Sequence, residues 1–285
     1  MTHAREHIRG PSDGLLGDTA ARDYSDKLSK FNAFAQPELR GLITRLDLKP
    51  GMHVLDVGCG TGEALNWLLG AVSPAGQVVG IDLAAAHVAA ARLKAVPEIK
   101  LYQANLFDSP FEPASFDLIW CVNTINHLTD PAAGVMHLAT LLRNGGRIAV
   151  GQSSLLPDMY FAWDSRLEHA VNDAVRRYYQ DRYDLDERDL KSVRALVGIM
   201  RRANLRNVSV NTIVIERMSP LDAASESYLR DTIFLGTWGE RLRPYLPPND
   251  YSELAALCDP KHASYALARP DFHFLQTFTL TIGEV

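Results

Sequence analysis

The stretch "VLDVGCGTGE" at Val54–Glu63 decides the fold. An apolar, strand-like run ends in Asp56, and Gly58, Gly60 and Gly62 then occupy every second position before a helix-like segment begins. A glycine-rich turn between a strand and a helix lets a ligand approach the backbone and the helix N-terminus closely. The stretch therefore predicts a nucleotide-like ligand at the carboxyl end of a sheet.

The sequence around this stretch alternates between strand-like and helix-like segments, which is typical of βαβ units and a parallel sheet. Short apolar runs predict strands at 53–57, 77–82, 99–104, 116–122 and 146–152, and longer stretches predict helices at 62–72, 84–96 and 131–143. Helical regions at about 157–203 and 220–269 follow, and each precedes a further strand, at 207–218 and 272–283. Residues 19–46 predict one or two helices before the sheet.

The glycine spacing distinguishes between two kinds of ligand. Dinucleotide-binding loops have the pattern G-x-G-x-x-G, whereas this loop has G-x-G-x-G and carries Glu63 where the third dinucleotide glycine would stand. Asp56 and Glu63 would also repel a pyrophosphate in a cleft of low dielectric. S-adenosylmethionine has no phosphate, and a carboxylate stabilises its sulfonium and its ammonium group. The loop therefore favours S-adenosylmethionine over NAD.

These residues resemble the first motif of class I S-adenosylmethionine-dependent methyltransferases, in the branch that includes small-molecule and quinone-biosynthesis enzymes. The resemblance extends over about residues 49–152, where "VVGID", "QANLFDSPF", "FDLIWCVNTINHLTDP" and "LLRNGGRIAV" follow in the family's order. Asn144 replaces the usual proline of the last segment. The resemblance implies an α/β fold with a Rossmann-like, seven-stranded, doubly wound sheet, an antiparallel last strand and helical cap insertions.

The resemblance also implies which residues bind S-adenosylmethionine or its product, S-adenosylhomocysteine. Asp82 ends "VVGID" at the offset from Gly62 that is usual for the acid that binds ribose hydroxyls. Asn105 and the Leu106 backbone match the segment that meets the adenine amine. The predicted cofactor-binding residues are Asp56, Gly58, Gly60, Gly62, Asp82, Leu83, His87, Asn105, Leu106 and Cys121.

Four of the implied site residues also have a structural interpretation. Asp82 is a favoured residue for capping the helix that follows it, and Asn105 is common in turns. We expect His87 either to lie over the adenine ring of the cofactor or to lie on the helix surface without contacting the ligand. His127 is the candidate catalytic base, but a histidine at this position also structures the loop before the next helix. We expect the loop-structuring role for His127.

Aromatic residues outside the region of resemblance predict the acceptor pocket. Each of them can instead be an ordinary core residue. The candidate acceptor-binding residues are Tyr24, Asn123, Trp163 and Trp238. We predict that residues 1–48 form a helical segment that covers the cofactor site. Residues 49–285 would form one methyltransferase domain, in which insertions at about 153–203 and 220–269 cap the acceptor.

The composition restricts the partners. The net charge is −5 and no long run of like charges occurs, which disfavours a nucleic-acid partner, and no N-P-P-Y-like motif is present. No apolar stretch is long enough for a membrane span or a signal peptide, so we expect a cytoplasmic protein without a membrane partner. Three cysteines without C-x-x-C spacing and the absence of an acid cluster predict no metal site and no disulfide framework.

The residues together predict an enzyme that transfers the methyl group of S-adenosylmethionine to a small, apolar or aromatic organic acceptor. Methyl transfer from a sulfonium is an in-line displacement, so proximity, alignment and exclusion of water would supply most of the catalysis. Two alternatives stay open. One is a protein that binds S-adenosylmethionine without methyl transfer, and the other is a nicotinamide oxidoreductase, which the glycine spacing and Asp56 disfavour.

Overall fold

A single mixed sheet forms the centre of the molecule, in a computed structural model that describes residue 16 and residues 18–154, 159–161, 164–185 and 192–285. The strands are β1 (His53–Val57), β2 (Gln77–Asp82), β3 (Lys100–Gln103), β4 (Phe116–Val122), β5 (Leu142–Ser153), β6 (Met159–Phe161), β7 (Arg206–Met218) and β8 (His273–Glu284). Strands β1 to β5 are parallel, in the order β3-β2-β1-β4-β5. Strand β8 runs antiparallel beside β5, and β7 pairs with the other side of β8.

This strand order creates a switch point in the middle of the sheet. The chain begins at β1, proceeds outward to β3 and then crosses back to β4 on the other side of β1. Connections that leave β1 and β4 therefore diverge to opposite sides. A crevice opens between them at the carboxyl ends of the strands, which is where ligands bind in open α/β sheets.

The helices cover both faces of the sheet. They are α1 (Ser25–Phe34), α2 (Gln36–Arg45), α3 (Glu63–Val72), α4 (Ala85–Lys94), α5 (Pro131–Thr140), α6 (Ser165–Tyr183), α7 (Ser192–Arg202), α8 (Ala223–Ser227) and α9 (Pro248–Cys258). A π-helix at Tyr228–Trp238 and 3₁₀ turns at Leu106–Asp108, Ile125–His127, Glu240–Tyr245 and Ala266–Ala268 complete the described elements. None of the described helices is both long and apolar enough to cross a bilayer.

Two apolar cores lie on the two faces of the sheet, because successive side chains of a strand point to opposite sides. Val54 and Leu118 belong to the core that α1, α2, α3, α6 and the π-helix cover. Leu55 and Ile119, their sequence neighbours, belong to the core beneath α5 and α7. Every one of these four side chains is fully buried. The parallel strands are therefore sandwiched between helices, as their unbroken apolar sequence predicts.

The predicted fold class is confirmed, with differences at two element boundaries. The predicted seventh strand is antiparallel, and the short strand β6, which was not predicted, extends the β5 side of β8. The helix predicted at 131–143 ends at Thr140, and β5 already begins at Leu142. Leu142 pairs with Phe116, ahead of an irregularity in the ladder, so the "NGG" turn lies inside the strand rather than before it.

The segment between β7 and β8 is helical, as its sequence predicts. Its π-helix packs on the N-terminal helices, where the Phe34 and Tyr228 rings stack with centroids 4.4 Å apart. Arg217 on β7 binds Glu38 on α2 at 2.7 Å, with both side chains mostly buried. The N-terminal helices are thereby fixed to the end of the sheet that the helical segment also covers. A capping role for this segment over an acceptor stays a prediction.

Candidate functional site

The glycine loop after β1 needs glycine for both backbone and space. Gly58, Gly60 and Gly62 have φ values of 68°, 53° and 84°, a region that residues with a side chain rarely adopt. A Cβ on Gly58 would lie 2.2 Å from Thr124 Oγ1, in the loop after β4. The amides of Gly58 and Cys59 donate to Ile81 O at the end of β2, at 2.8 and 2.9 Å. The loop is therefore held tightly between β2 and β4.

A cavity of about 430 Å³ opens at the switch point beside this loop. The ends of β1, β2 and β4 form its floor, and α1 and the segment before it form its roof. We call residues 18–24 the N-terminal strap. The cavity is lined by eleven of the predicted site residues, namely Tyr24, Asp56, Gly58, Gly60, Asp82, Leu83, His87, Asn105, Leu106, Asn123 and His127.

Asp56 places a buried carboxyl group in the cavity wall. Its side chain is only 3% exposed, and Oδ2 has no hydrogen-bond partner in the part of the chain that the structure describes. Burial raises the pKa of Asp56 to about 8, and the neighbouring carboxylates of Asp82 and Glu63 contribute. A cation bound against Oδ2 would reverse this shift, so the site is suited to a positively charged ligand.

Asp82 at the end of β2 accepts hydrogen bonds from three protein groups. Oδ2 accepts from the Gly60 amide at 2.9 Å, and Oδ1 accepts from the Ala84 amide at 2.9 Å. His87 Nδ1 lies 3.0 Å from the same Oδ1. Each carboxylate oxygen has two lone-pair directions. Asp82 therefore joins the loop, the start of α4 and His87, and keeps one acceptor direction on Oδ2 for a ligand.

The N-terminal strap is attached to the cofactor side of the cavity by backbone groups. The Tyr24 amide donates to His87 Nε2 at 3.0 Å, which leaves Nδ1 as the protonated nitrogen that donates to Asp82. The Ala85 amide donates to Ala20 O at 3.0 Å. His87 is thus neither on the helix surface nor free, because it connects the strap with Asp82.

His127 lies across the cavity in the 3₁₀ turn after β4. Its Nδ1 is 2.7 Å from Asp18 Oδ2 in the strap, and its side chain is 33% exposed. No described residue forms a hydrogen bond with Nε2. Burial raises the pKa of Asp18, but the hydrogen bond and the charge of His127 outweigh burial, so the pKa is lowered overall. The arrangement resembles the carboxylate–histidine pairs that orient a base.

Comparisons with known proteins agree with this geometry. Residues 55–150 match a protein-family model described as a methyltransferase domain. An uncharacterized 37.1 kDa protein in transposon TN4556 of Streptomyces fradiae is 34% identical over 164 residues, which are 56% of this chain and 45% of that protein. The 27-O-demethylrifamycin SV methyltransferase of Amycolatopsis mediterranei is 30% identical over 151 residues, or 51% of this chain and 55% of that enzyme.

Residues 55–150 are therefore similar to methyltransferase domains, in agreement with the family that the sequence motifs resemble. The chain spans about half the length of the curated relatives given above. The crystal structure of YcgJ protein from Bacillus subtilis superposes with a TM-score of 0.53 at 19% identity, over 87% of this chain and 98% of that one, which is a likeness of fold.

S-adenosylmethionine is the cofactor that the resemblance to class I methyltransferases implies. The residues of the cavity fit this group. The uncompensated Oδ2 of Asp56 matches a cationic ligand, and no phosphate has to be accommodated beside it. Asp82 retains an acceptor direction for a hydroxyl group. The glycine loop keeps this part of the wall free of side chains.

Three predicted site residues of the methyltransferase domain do not line the cavity. Gly62 is the residue before α3, and its missing side chain makes room for Ala91, whose Cβ would be 2.9 Å from an added Cβ. Cys121 is fully buried on the α5 side of the sheet. Trp238 is 2% exposed in the opposite core, where its ring stacks on Phe234. Trp163 lies outside the described residues.

Other predicted residues line the cavity but already have partners. Asn105 Oδ1 accepts from the Phe107 amide at 3.0 Å, so it caps the 3₁₀ turn that begins at Leu106. Asn123 has a φ of 51°, and its Oδ1 accepts from the amide and the hydroxyl of Ser153. Asn123 therefore ties the ends of β4 and β5 together.

Glu63 differs from the prediction that it stands beside the ligand. It does not line the cavity. Thr61 Oγ1 donates to its Oε2 at 2.6 Å, and Asn32 on α1 donates to the same oxygen at 2.9 Å. Lys94 on α4 forms an ion pair with Oε1. Glu63 therefore fastens α1 to the methyltransferase domain.

Sequence analysis did not find Asp18 or Arg22, which the structure brings to the cavity. Both lie in the strap, where the sequence has no motif, and each has a partner more than a hundred residues away in the chain, His127 for Asp18 and Tyr183 for Arg22. No sequence pattern identifies these two residues, because their place at the cavity depends on how the strap folds back over the sheet. Across the described residues, no group of three His, Cys, Asp or Glu side chains could hold a metal ion.

Proposed function

We propose that this protein transfers the methyl group of S-adenosylmethionine to a hydroxyl oxygen of a small organic acceptor. The observation that carries the proposal is the cavity at the switch point, where Asp56 Oδ2 and His127 Nε2 have no hydrogen-bond partner among the described residues. The name of the Amycolatopsis relative gives it a small-molecule acceptor, which supports an acceptor of the same kind here.

Asp56 and Asp82 would bind the two ends of the cofactor that carry polar groups. Oδ2 of Asp56 pairs with the ammonium, because this oxygen is buried and has no donor of its own. Oδ2 of Asp82 accepts from one ribose hydroxyl, and His87 holds the carboxylate in place. Asn105 has its oxygen engaged, so its amide nitrogen is the group that can donate to the adenine ring.

When bound, S-adenosylmethionine supplies an electrophilic methyl group on a positively charged sulfur. The chain's own residues then have two tasks, alignment and exclusion of water. Leu28, Phe31 and Trp120 line the roof and floor of the cavity with apolar surface. Such walls suit an apolar or aromatic acceptor and keep water from competing for the methyl group.

His127 would remove the proton of the acceptor hydroxyl. Asp18 accepts the hydrogen bond from Nδ1, so a neutral ring has its lone pair on Nε2, and His127 lines the cavity. Nε2 would accept the hydroxyl proton, and Asp18 would stabilise the imidazolium that results. Asp18 is a positioning residue in this scheme, since it acts through His127.

The experiment that tests the proposal combines binding with transfer. Calorimetry should detect binding of S-adenosylhomocysteine to the purified protein and no binding of NAD. Incubation with methyl-labelled S-adenosylmethionine and a panel of phenols and alcohols should then give labelled ethers by mass spectrometry. Binding of NAD without binding of the adenosyl-sulfur ligand would contradict the proposal. Binding without transfer to any acceptor would favour a protein that holds the cofactor and does not methylate.

A further inference from the structure

The two ends of the strap are bound by histidines on opposite sides of the cavity. At one end, Asp18 Oδ2 lies 2.7 Å from Nδ1 of His127, in the turn after β4. At the other end, the Tyr24 amide donates to Nε2 of His87 on α4 at 3.0 Å. All four of these residues line the cavity. The strap therefore crosses the cavity from the candidate base to the side that holds Asp82.

His87 uses both of its ring nitrogens, and its side chain is buried. Nδ1 lies 3.0 Å from Asp82 Oδ1, while Nε2 accepts from the Tyr24 amide. A backbone amide can only donate, so Nε2 carries the lone pair and Nδ1 carries the proton. His87 is therefore fixed in one tautomer and joins a carboxylate of the cofactor wall to the backbone of the strap.

The strap takes its position from the elements that it contacts, because residues 18–24 form a turn and a loop rather than a helix or a strand. Ala20 O accepts from the amide of Ala85 at 3.0 Å, and Arg22 donates to Tyr183 on α6 at 3.4 Å. Ala85 and His87 both belong to α4. This helix therefore carries the attachment of the strap on the side of Asp82.

The hydrogen bond between Asp18 and His127 depends on where the strap lies. A hydrogen bond weakens steeply when its distance and angle depart from the favoured values. This particular bond determines which nitrogen of His127 is protonated, and only a proton on Nδ1 leaves the lone pair of Nε2 for the acceptor. A contact that fixes the Tyr24 end of the strap thus also affects the tautomer of His127.

We propose that His87 is a positioning residue for methyl transfer, which holds the Tyr24 amide and thereby keeps Asp18 on His127 Nδ1. This inference rests on the proposed function, because it concerns the residue that is proposed there as the base. His87 acts through the strap and not on a reacting atom. The same side chain would then order a carboxylate of the cofactor wall and the base that serves the acceptor.

Two amide variants of His87 separate its two hydrogen bonds. His87→Asn places a nitrogen near Nδ1 and keeps a donor for Asp82, but it leaves the Tyr24 amide without this acceptor. His87→Gln places an oxygen near Nε2 that can accept from the Tyr24 amide.

The labelled transfer assay on the phenol and alcohol panel, at saturating S-adenosylmethionine, compares the two variants. Turnover should fall by about tenfold in His87→Asn, with the affinity for S-adenosylhomocysteine within about threefold of the parent. His87→Gln should recover most of the lost turnover. Equal turnover in the two variants would overturn the inference.

Nitrogen NMR of the histidine rings follows the tautomer of His127 without an acceptor. The sample is the full chain, labelled at histidine, loaded with S-adenosylhomocysteine and held at about pH 8, where an ordinary histidine is neutral. His127→Gln identifies the His127 signals. The parent and His87→Gln should show the proton on Nδ1, whereas His87→Asn should show a mixture of both tautomers. Unchanged His127 signals in His87→Asn would contradict the inference. A parent that methylates no acceptor would contradict the proposed function, and the NMR result would still decide the role of His87.

A double variant and a control on α3 exclude a general loosening of α4. His87→Asn combined with Asp18→Asn should turn over about as slowly as either single variant, because both interrupt the same contact. Losses that multiply to about 100-fold would show independent effects and overturn the inference.

Asn66→Ala is the control, because Asn66 binds Lys94 O at 2.9 Å and the Val96 amide at 3.2 Å, at the far end of α4 from the strap. Its turnover should stay within about twofold of the parent. A loss in Asn66→Ala equal to that in His87→Asn would show that any disturbance of α4 is sufficient, which would also contradict the inference.

Discussion

The two halves of the cavity are built in different ways. On the cofactor half, the glycine loop, Asp82 and His87 lie within about thirty residues of one another, and a turn after each strand positions them. On the acceptor half, the strap, α1 and the segment after β7 meet over distances of more than a hundred residues. A local motif therefore determines the first half, whereas long-range packing determines the second.

The difference extends to how the polar groups are satisfied. Asp82 has three protein donors before any ligand binds, so this part of the site is preorganised. On the acceptor half, His127 Nε2 has no hydrogen-bond partner among the described residues. Contacts that are already formed within the protein would therefore hold the cofactor. Polar groups without a protein partner, on the acceptor half, would distinguish one acceptor from another.

The largest effect is expected from Trp238→Ala, and it tests whether the segment after β7 belongs to the core. Trp238 is 2% exposed and stacks on Phe234 with ring centroids 5.5 Å apart. Truncating a buried tryptophan leaves a cavity, so the free energy of unfolding should fall by about 3–5 kcal/mol. Chemical denaturation measures the loss. A stable variant whose acceptor KM alone is changed would restore the sequence-based prediction that Trp238 contacts the acceptor.

The second prediction concerns the pair that joins the two halves. His127→Ala should lower turnover by about 100-fold while the affinity for S-adenosylhomocysteine changes by less than about threefold, because the base is lost and the cofactor wall is not. Steady-state kinetics and calorimetry on one preparation give both numbers.

Asp18→Asn serves as the partner variant for His127→Ala. The asparagine has about the same size as the aspartate, but it holds the proton on His127 Nδ1 less strongly. Turnover should therefore fall by about tenfold. Parallel losses of stability and cofactor affinity in His127→Ala would show that His127 only structures its loop, which is the role expected from the sequence.

Asp82→Ala should produce a smaller effect that is divided between binding and folding. It removes the acceptor position that a ligand hydroxyl would use, so cofactor binding should weaken by about 1.5–3 kcal/mol. It also removes the acceptor positions that three protein donors use, so the free energy of unfolding should fall by about 1–2 kcal/mol. Calorimetry and thermal unfolding separate the two losses. Asp82→Asn, which retains the volume and one acceptor oxygen, is the control. An unchanged cofactor affinity would leave Asp82 with only its contacts to Gly60, Ala84 and His87.

The sequence predicts the strand, loop and helix of the cofactor half because the information for them is local. "VLDVGCGTGE" specifies a strand, three positive-φ glycines and a helix start, and each of these is present. The placement of Gly62 and Cys121 was less accurate, since spacing does not reveal which side of the loop or sheet a residue faces. Gly62 faces Ala91 of α4, and Cys121 faces the core beneath α5.

The acceptor half could not be predicted in the same way. Asp18 and Arg22 stand in a segment without a motif, and their roles depend on where the strap folds. Trp238 is a candidate for acceptor binding because it is an aromatic residue outside the region of resemblance, but an aromatic side chain packs equally well in the protein's own core. Glu63, which the sequence places beside the ligand, instead contacts Lys94 and Asn32 of α1.

The last pair of predictions concerns the pH dependence of stability that Asp56 should produce. Its pKa is about 8 in the folded protein and about 3.9 in an unfolded chain, so between these values the folded state holds a proton that the unfolded state has lost. The stability contributed by this group is therefore complete below about pH 4 and is lost as the pH rises to about 8. The slope is at most about 1.4 kcal/mol per pH unit. Asp56→Asn removes the titration, so the difference in unfolding free energy between parent and variant should change with pH across this window and be constant above it.

Ligand binding should reverse the shift and provide an independent readout. An ammonium placed against Oδ2 favours the carboxylate, so binding of S-adenosylhomocysteine near pH 7 should release close to one proton. Calorimetry in two buffers of different ionisation enthalpy measures the release, and Asp56→Asn should abolish it while weakening the affinity. Proton release that persists in Asp56→Asn would assign the titration to another group. No release in the parent would mean that Asp56 does not meet the ammonium, and the charge argument that separates this loop from a dinucleotide site would lose its support.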